Sequence, residues 1–435
     1  MRRGRRGRSL RAAHQASQIL RAALLGSVLL IGCRPAGPPA TLPHPGLEGR
    51  TALRVGIAVG VDQTTVSSST PFELVTTTTG ERSRASAGER WTFTTDAAGQ
   101  IRGESDRGNS FGPTTALVRV EVPRGRAPIL IDGKPYRGGA LLRAAGPGKI
   151  TAINLLEIEE YLLGVVPLEI GPRPLAELEA VKAQAVAART YAVRHLGGRE
   201  PLGFDLYSTV ADQVYGGIEV EDPTAARAVR ETRGEIITYQ GSPILAYYHS
   251  TCGGRTAAIE EVWPHRQPLP YLRSVSDESS PGQYYCESSR LFRWDLSWTG
   301  PELRRILALT LAKRGGRADP LPIDELKRVE TEGRTPSGRA RSLVVETDLG
   351  RSRVDGDSIR WILERAPGEI LYSTLFELEE TRSGGVVTAL RAHGGGWGHG
   401  VGMCQVGALG RARAGQDYRQ ILTTYYQGTE VTRVY

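Results

Sequence analysis

Residues 161–192, YLLGVVPLEIGPRPLAELEAVKAQAVAARTYA, set one acidic residue, Glu169, in an apolar stretch just ahead of an amphipathic helix. The helix is legible from several signals. Pro172 and Pro174 stand where a missing N–H costs nothing, and Glu177 and Glu179 fall near the positive end of the dipole. Leu175, Leu178, Val181, Ala185, Ala188 and Ala192 recur at threes and fours, and the small alanines let a neighbour approach closely. Lys182, Gln184, Arg189 and Tyr191 fall on the other side. Glu169, expected in the loop before this helix, has Val165, Val166, Pro167, Leu168 and Ile170 around it. Lost hydration favours its protonated form and suits it to give a proton to a leaving oxygen near neutral pH. A carboxylate that merely begins a helix fits the same position, so both readings stand at this point.

The segment His393–Ala408, HGGGWGHGVGMCQVGA, interleaves seven glycines with two histidines, a tryptophan and a glutamine. Such glycine density fits a tight loop that holds His399 and Gln405 close to something, not a helix or an ordinary strand. No Lys-Ser/Thr pair follows and no strand–turn–helix frame surrounds the run, which argues against a nucleotide site.

With YLLGVVPLEI, the blocks AVKAQAVAARTYAV, FDLYSTVADQVYGG, AVRETRGEIITYQGSPILAYYHSTCGGRT, PYLRSV, SGRARSL and GGWGHGVGMCQVGALGRARAG resemble the SpoIID/LytB family, from about Ala52 to the C-terminus. The resemblance implies a lytic transglycosylase. Such an enzyme breaks the β-1,4 bond between N-acetylmuramic acid and N-acetylglucosamine in peptidoglycan glycan strands without water, and leaves a 1,6-anhydro end. The family's catalytic glutamate falls in the GVVPLE block, on Glu169. Most glycoside hydrolases need two carboxylates, whereas here only one acid sits where its pKa would rise. If the sugar's own 6-hydroxyl attacks the anomeric carbon, one carboxyl serves as acid and then base.

Gln184, Arg189, Gln213, Tyr215, His249, Ser250, His399 and Gln405 occupy motif positions and are expected to bind substrate; each is equally suited to structural hydrogen bonding. Some family members are named as modifiers that enhance a separate cell-wall amidase, which keeps open a glycan-binding module that cuts nothing. A hydrolytic glycosidase, leaving reducing ends, is a third reading.

The first residues read as a bacterial lipoprotein signal. Met1–Arg21 holds seven arginines and no acid, Ala22–Ile31 is apolar, and Leu30-Ile31-Gly32-Cys33 reads as a lipobox. Residues 1–32 are the expected signal peptide, Cys33 the lipidated residue, and residues 33–50, with five prolines between Pro35 and Pro45, a stiff tether. This predicts a lipid-anchored envelope protein, in the outer membrane of a double-membraned cell because Arg34 is not an aspartate. The chain carries 55 basic and 47 acidic residues, net +8; without the seven leader arginines, 48 against 47 remain. Near-neutral charge and no basic face with interleaved aromatics give nucleic-acid binding no support.

Of four cysteines, Cys33 is assigned to lipid, and Cys252 and Cys286 are expected to form a disulfide, with Cys404 left odd. Zinc at His249, Cys252 and Cys286 is the competing reading, with His265 a distant fourth ligand; otherwise no cofactor is expected. Some relatives carry a Cys/His metal cluster just before the QVY block, but Phe204–Tyr215 contains neither residue here.

The fold class expected is α+β and strand-rich. A small N-terminal β module over 51–150, with strands at 53–59, 117–122 and 128–131, precedes a catalytic core over 151–435. The core should carry a helix from Asp222-Pro223 to Gly234, a hairpin of 235–239 with 244–248, a helix at 301–313, strands at 343–347 and 370–378, and a last helix near 409–414.

Overall fold

The computed structural model describes residues 52–123 and 127–435. The expected signal peptide, Cys33 and the whole of the proline tether therefore lie outside the described residues. The described chain is α+β and strand-rich.

A seven-stranded sheet runs in the order Leu206–Tyr207, Ala52–Val61, Lys149–Glu157, Gly139–Gly146, Val118–Glu121, Phe72–Thr76 and Arg82–Ala85. A six-stranded sheet follows the order Lys134–Tyr136, Ile129–Ile131, Gln63–Ser67, Trp91–Thr95, Ile101–Ser105 and Ser110–Thr114. Alternating apolar residues turn inward from both, Leu53, Val55, Ile150 and Ala152 from one and Val66, Trp91, Phe93 and Ile101 from the other, into one continuous core. The strand Lys149–Glu157 crosses residue 150 and runs straight into helix α1 (Ile158–Ile170), so the β-rich part and the helical part share a central strand.

Glu169 lies in the last turn of α1, not in a loop. Pro167 inside the helix removes an N–H, at about 3 kcal/mol in a helix interior, but Tyr161, Leu162, Val165, Val166 and Ile170 bury one continuous face, and that burial outweighs the lost bond. Gly171, at φ +77°, ends the helix.

Helix α2 (Leu178–Arg194) starts later than the prolines suggest, after a 3₁₀ turn at Leu175–Glu177. It packs against α1, helix α3 (Pro223–Glu231), the strand Glu235–Tyr239, and the helices α5 (Gln405–Arg413) and α6 (Tyr418–Tyr425). It therefore has little solvent face, and Gln184 and Arg189, read as a polar side, are wholly buried.

The expected hairpin forms only in part. Gln240 (φ +50°) and Gly241 (φ +77°) turn the chain as a two-residue hairpin loop requires, and Glu235–Tyr239 pairs with Ser242–Pro243 and with Glu430–Arg433. Residues 244–248 leave that sheet instead of extending it. Tyr248–His249 pairs in parallel with Met403–Cys404.

A second, separate core lies within residues 291–392. Helix α4 (Gly300–Arg314), begun by a Thr299–Glu302 capping box, packs Leu303, Ile306 and Leu307 with Trp294, Trp298, Val329, Leu343, Val345 and Leu390. Two three-stranded sheets surround it, 294–299 with 386–394 and 376–383, and 326–334 with 340–347 and 350–355.

Candidate active site

The end of α1 brings Glu169 against the loop after Leu206–Tyr207, where its Oε1 accepts the Val214 N–H at 3.2 Å. Burial raises the carboxyl to about 7, while the Val214 N–H and the side chains of Tyr248 and Gln405 pull it back down. Neither a cation nor a second carboxylate is among the causes. The group is thus poised near neutrality by desolvation, tempered by neutral donors.

Those donors are braced from behind. Gln213 Nε2 donates to the Tyr248 hydroxyl at 2.9 Å, and Gln213 Oε1 accepts from Tyr161 at 3.2 Å. With its oxygen occupied as an acceptor, Tyr248 keeps its own proton for Glu169. Gln405, the first residue of α5, donates Nε2 to Gln184 Oε1 at 3.3 Å, and Gln184 Nε2 has no partner among the described residues. We expect Tyr248→Phe to remove one donor to the carboxylate and so raise the Glu169 pKa further. An activity that needs protonated Glu169 would then keep its high-pH limb to a higher pH than wild type, read from a kcat/KM profile.

The glycine-rich run is the tight loop expected, held against residues 247–257. Thr251 bridges to Trp397 and Ala257 to Val401, beside the parallel pair already described. A Cβ on Gly402, whose φ is +72°, would overlap the Tyr247 carbonyl oxygen, and one on Gly400, at φ +89°, would overlap the buried Arg339 guanidinium. Gly402→Ala therefore combines a left-handed conformation with a backbone clash. We expect it to cost about 2–4 kcal/mol, measured by denaturant unfolding.

His249 and His399 support this seam and do not touch Glu169. His249 Nδ1 lies 3.1 Å from the Val401 carbonyl, and His399 Nδ1 accepts the Val401 N–H at 3.0 Å. Their rings lie 5.6 Å apart, and His399 also packs against Trp263 and Tyr247. Burial pushes His249 well down and His399 to about 4, so both stay neutral near pH 7. The Ser250 carbonyl accepts the Val406 N–H at 3.0 Å, again a joint between the two segments.

Two expected substrate-binding residues fall elsewhere. Arg189 donates twice to Glu159 at 2.8 Å and also to the Glu235 and Val229 carbonyls, so its guanidinium is consumed in joining α1, α2, α3 and the strand Glu235–Tyr239. Tyr215 is wedged between Tyr136 and Tyr161 with its hydroxyl on Asn154 at 2.9 Å. Both are structural because all their polar atoms are occupied inside the protein.

The cysteine expectation is also corrected. Cys252, Cys286 and Cys404 are free, and the Cys252 and Cys286 sulfurs stand 3.4 Å apart, against about 2.05 Å for a disulfide. His249, whose Nδ1 faces the Val401 carbonyl and whose Nε2 has no partner among the described residues, is not grouped with them, and His265 is exposed. Cys404 joins the other two sulfurs in place of a histidine, and Asp277 lies with them.

Sequence reasoning missed Tyr248, Tyr161 and Asp277. Tyr248 stands next to a noted motif histidine and could have been found as the aromatic on the same short strand. Asp277, in SVSDESS, carries no local signal.

A family model described as stage II sporulation protein matches residues 147–239, and a domain of unknown function matches residues 281–402, the span of the second core. The chain is 33% identical over 302 residues to an uncharacterised protein of Brachyspira hyodysenteriae, covering 69% of this chain and 73% of that protein. It is 31% identical over 328 residues to the amidase enhancer of Bacillus subtilis, 70% of this chain and 45% of that protein, so it spans less than half of that relative. It is 30% identical over 303 residues to the stage II sporulation protein D of Bacillus amyloliquefaciens, 65% of this chain and 76% of that protein. The chain belongs to the SpoIID family.

Proposed function

We propose that this protein is a peptidoglycan lytic transglycosylase that uses Glu169 alone as its acid and base. Family membership supports a cell-wall-related function. The observation that carries the chemistry is the half-buried Glu169 carboxyl, raised to about 7 and met by neutral donors from Val214, Tyr248 and Gln405 with no cation or second carboxylate among the causes.

In this reading protonated Glu169 gives its proton to the glycosidic oxygen as the C1–O bond of N-acetylmuramic acid breaks, and the leaving N-acetylglucosamine takes that proton as its 4-hydroxyl. The 6-hydroxyl of the same muramic acid then bonds to C1, and its proton passes to the Glu169 carboxylate. The acid is restored and no water is consumed. Hydrolysis by inversion would need a second carboxylate about 6.5–9.5 Å away to activate water, and retention one about 5–5.5 Å away as nucleophile. Tyr248, Gln405 and Gln184 supply neutral polarity suited to amide-bearing sugars and to a cationic transition state, without a charge that would ionise Glu169 early.

A second reading rests on the relative named amidase enhancer. Here the same residues bind glycan strands and serve a separate cell-wall amidase without cutting. Mass spectrometry of strands treated with the purified protein separates these readings. Anhydro ends support the lyase, ends heavier by one water a hydrolase, and intact strands that remain bound the modifier. Lipid attachment at Cys33 and an envelope location belong to the same proposal, and palmitate labelling lost in Cys33→Ser tests them.

A further inference from the structure

Beneath the glycine-rich loop, Cys252, Cys286, Cys404 and Asp277 are all buried, and their three sulfurs and one carboxylate oxygen lie within 4.8 Å of one another. They come from three separated segments. Cys252 follows the short strand Tyr248–His249, Asp277 and Cys286 flank the hairpin 278–284, and Cys404 caps the N-terminus of α5. We propose that these four residues form a closed, tetrahedral Cys₃Asp site for a borderline-soft divalent cation of the zinc class.

The spacings suit such an ion. Zinc bonds of about 2.3 Å to sulfur and 2.0–2.2 Å to oxygen give tetrahedral edges of about 3.6–3.8 Å. The Cys252 sulfur is 3.4 Å from Cys286 Sγ and 3.6 Å from Asp277 Oδ2. The donor set is soft, three thiolates with one carboxylate, and selects zinc over magnesium or calcium.

The surroundings are arranged as a metal site requires. Backbone N–H groups point at the sulfurs, Cys252 and Gly407 to Cys404 Sγ at 3.2 and 3.3 Å and Gly254 to Cys252 Sγ at 3.4 Å. Asp277 is oriented by partners on one oxygen. Its Oδ1 accepts from the Tyr425 hydroxyl at 2.6 Å and from Arg411 at 3.1 and 3.3 Å, while Oδ2 faces the sulfurs. Outer hydrogen bonds of this kind fix a ligating carboxylate. Arg411 on Asp277 and Arg339 on the Cys252 carbonyl supply two positive charges beside the cluster, short of what three thiolates and a carboxylate need in a buried site, and a divalent ion makes up the difference.

With four protein ligands and no open position, the ion is structural. It clamps the stretch after His249, the base of the 278–284 hairpin and the start of α5. Gln405 directly follows Cys404, so the ion also sets the position of one donor to Glu169. The site is independent of whether Glu169 cleaves glycan, because its test reads metal and sulfur, not activity.

The test uses the full-length chain, purified in detergent under reducing conditions with zinc as the only added metal. Elemental analysis after gel filtration should give one zinc per chain. The three thiols should react with a thiol reagent only after a strong chelator, and chelation should lower the melting temperature, restored by zinc but not by magnesium. Cobalt in place of zinc should give sulfur-to-metal charge transfer in the near ultraviolet, reduced by about a third in Cys404→Ser and shifted but retained in Asp277→Cys. Freely reactive thiols in the wild-type chain without bound metal would overturn the site. So would a peptide linking Cys252 to Cys286 that is lighter by two hydrogens. The wild-type measurements decide the matter even if a variant fails to fold.

Discussion

Glu169→Gln should lower the rate of glycan-strand cleavage by about 10²–10⁴-fold, with binding of the strands kept, because the amide fills the carboxyl's space but cannot deliver a proton. The same substitution should stabilise the protein in a pH-dependent way. Burial raises the carboxyl from its ordinary value to about 7. Between those two values the folded chain holds a proton that the unfolded chain has released. The wild type therefore loses stability as pH rises through that window, in total by about 3 kcal/mol, and glutamine does not titrate. Relative to wild type, the variant should gain little near pH 4 and most of that amount above pH 7, measured by denaturant unfolding at both. Unchanged cleavage would remove Glu169 from the mechanism, and a pH-independent stability difference would mean that the carboxyl titrates normally.

Arg189→Met should destabilise the fold by about 3–5 kcal/mol, the larger of the two stability effects, because it leaves the Glu159 carboxylate inside the protein without its cation. Glu159 is also held by the Gly234 N–H and the Tyr435 hydroxyl, so it cannot simply turn to solvent. Adding Glu159→Gln should recover much of the loss, since no unpaired charge then remains, and a double-mutant cycle by urea unfolding measures the coupling. If Arg189 bound substrate instead, Arg189→Met would unfold near wild type and raise KM.

The contrast between these residues marks where the sequence was informative. Glu169 was legible because a lone acid among Val165, Val166 and Ile170 has one electrostatic consequence whatever the backbone does. Its place in a helix was not, because Pro167 and Gly171 signal a break and only the buried face of α1 overrides the first of them. Periodicity found α2 but set Gln184 and Arg189 on a polar side free to meet substrate, as it reports one apolar stripe and cannot count how many neighbours surround a helix. The cysteines show the same limit. Cys252 and Cys404 are 152 positions apart, and their meeting depends on a two-residue parallel pairing that leaves no local pattern. The separate core within residues 291–392 likewise read as one helix and scattered strands of a single catalytic core, since nothing in Trp294, Val329 or Leu390 says which core each joins.

That short parallel pairing between Tyr248–His249 and Met403–Cys404 also decides when Gln405, the next residue, can reach Glu169. Contacts between distant parts of a chain are the last to be made as it folds, and the segment bearing Gln405 is among the last to be synthesised. Until it docks, Glu169 lacks one of its donors. A chain truncated before Gln405 should therefore hold the Glu169 carboxyl further above its ordinary value than the complete chain does, since one of the donors that lower it is missing.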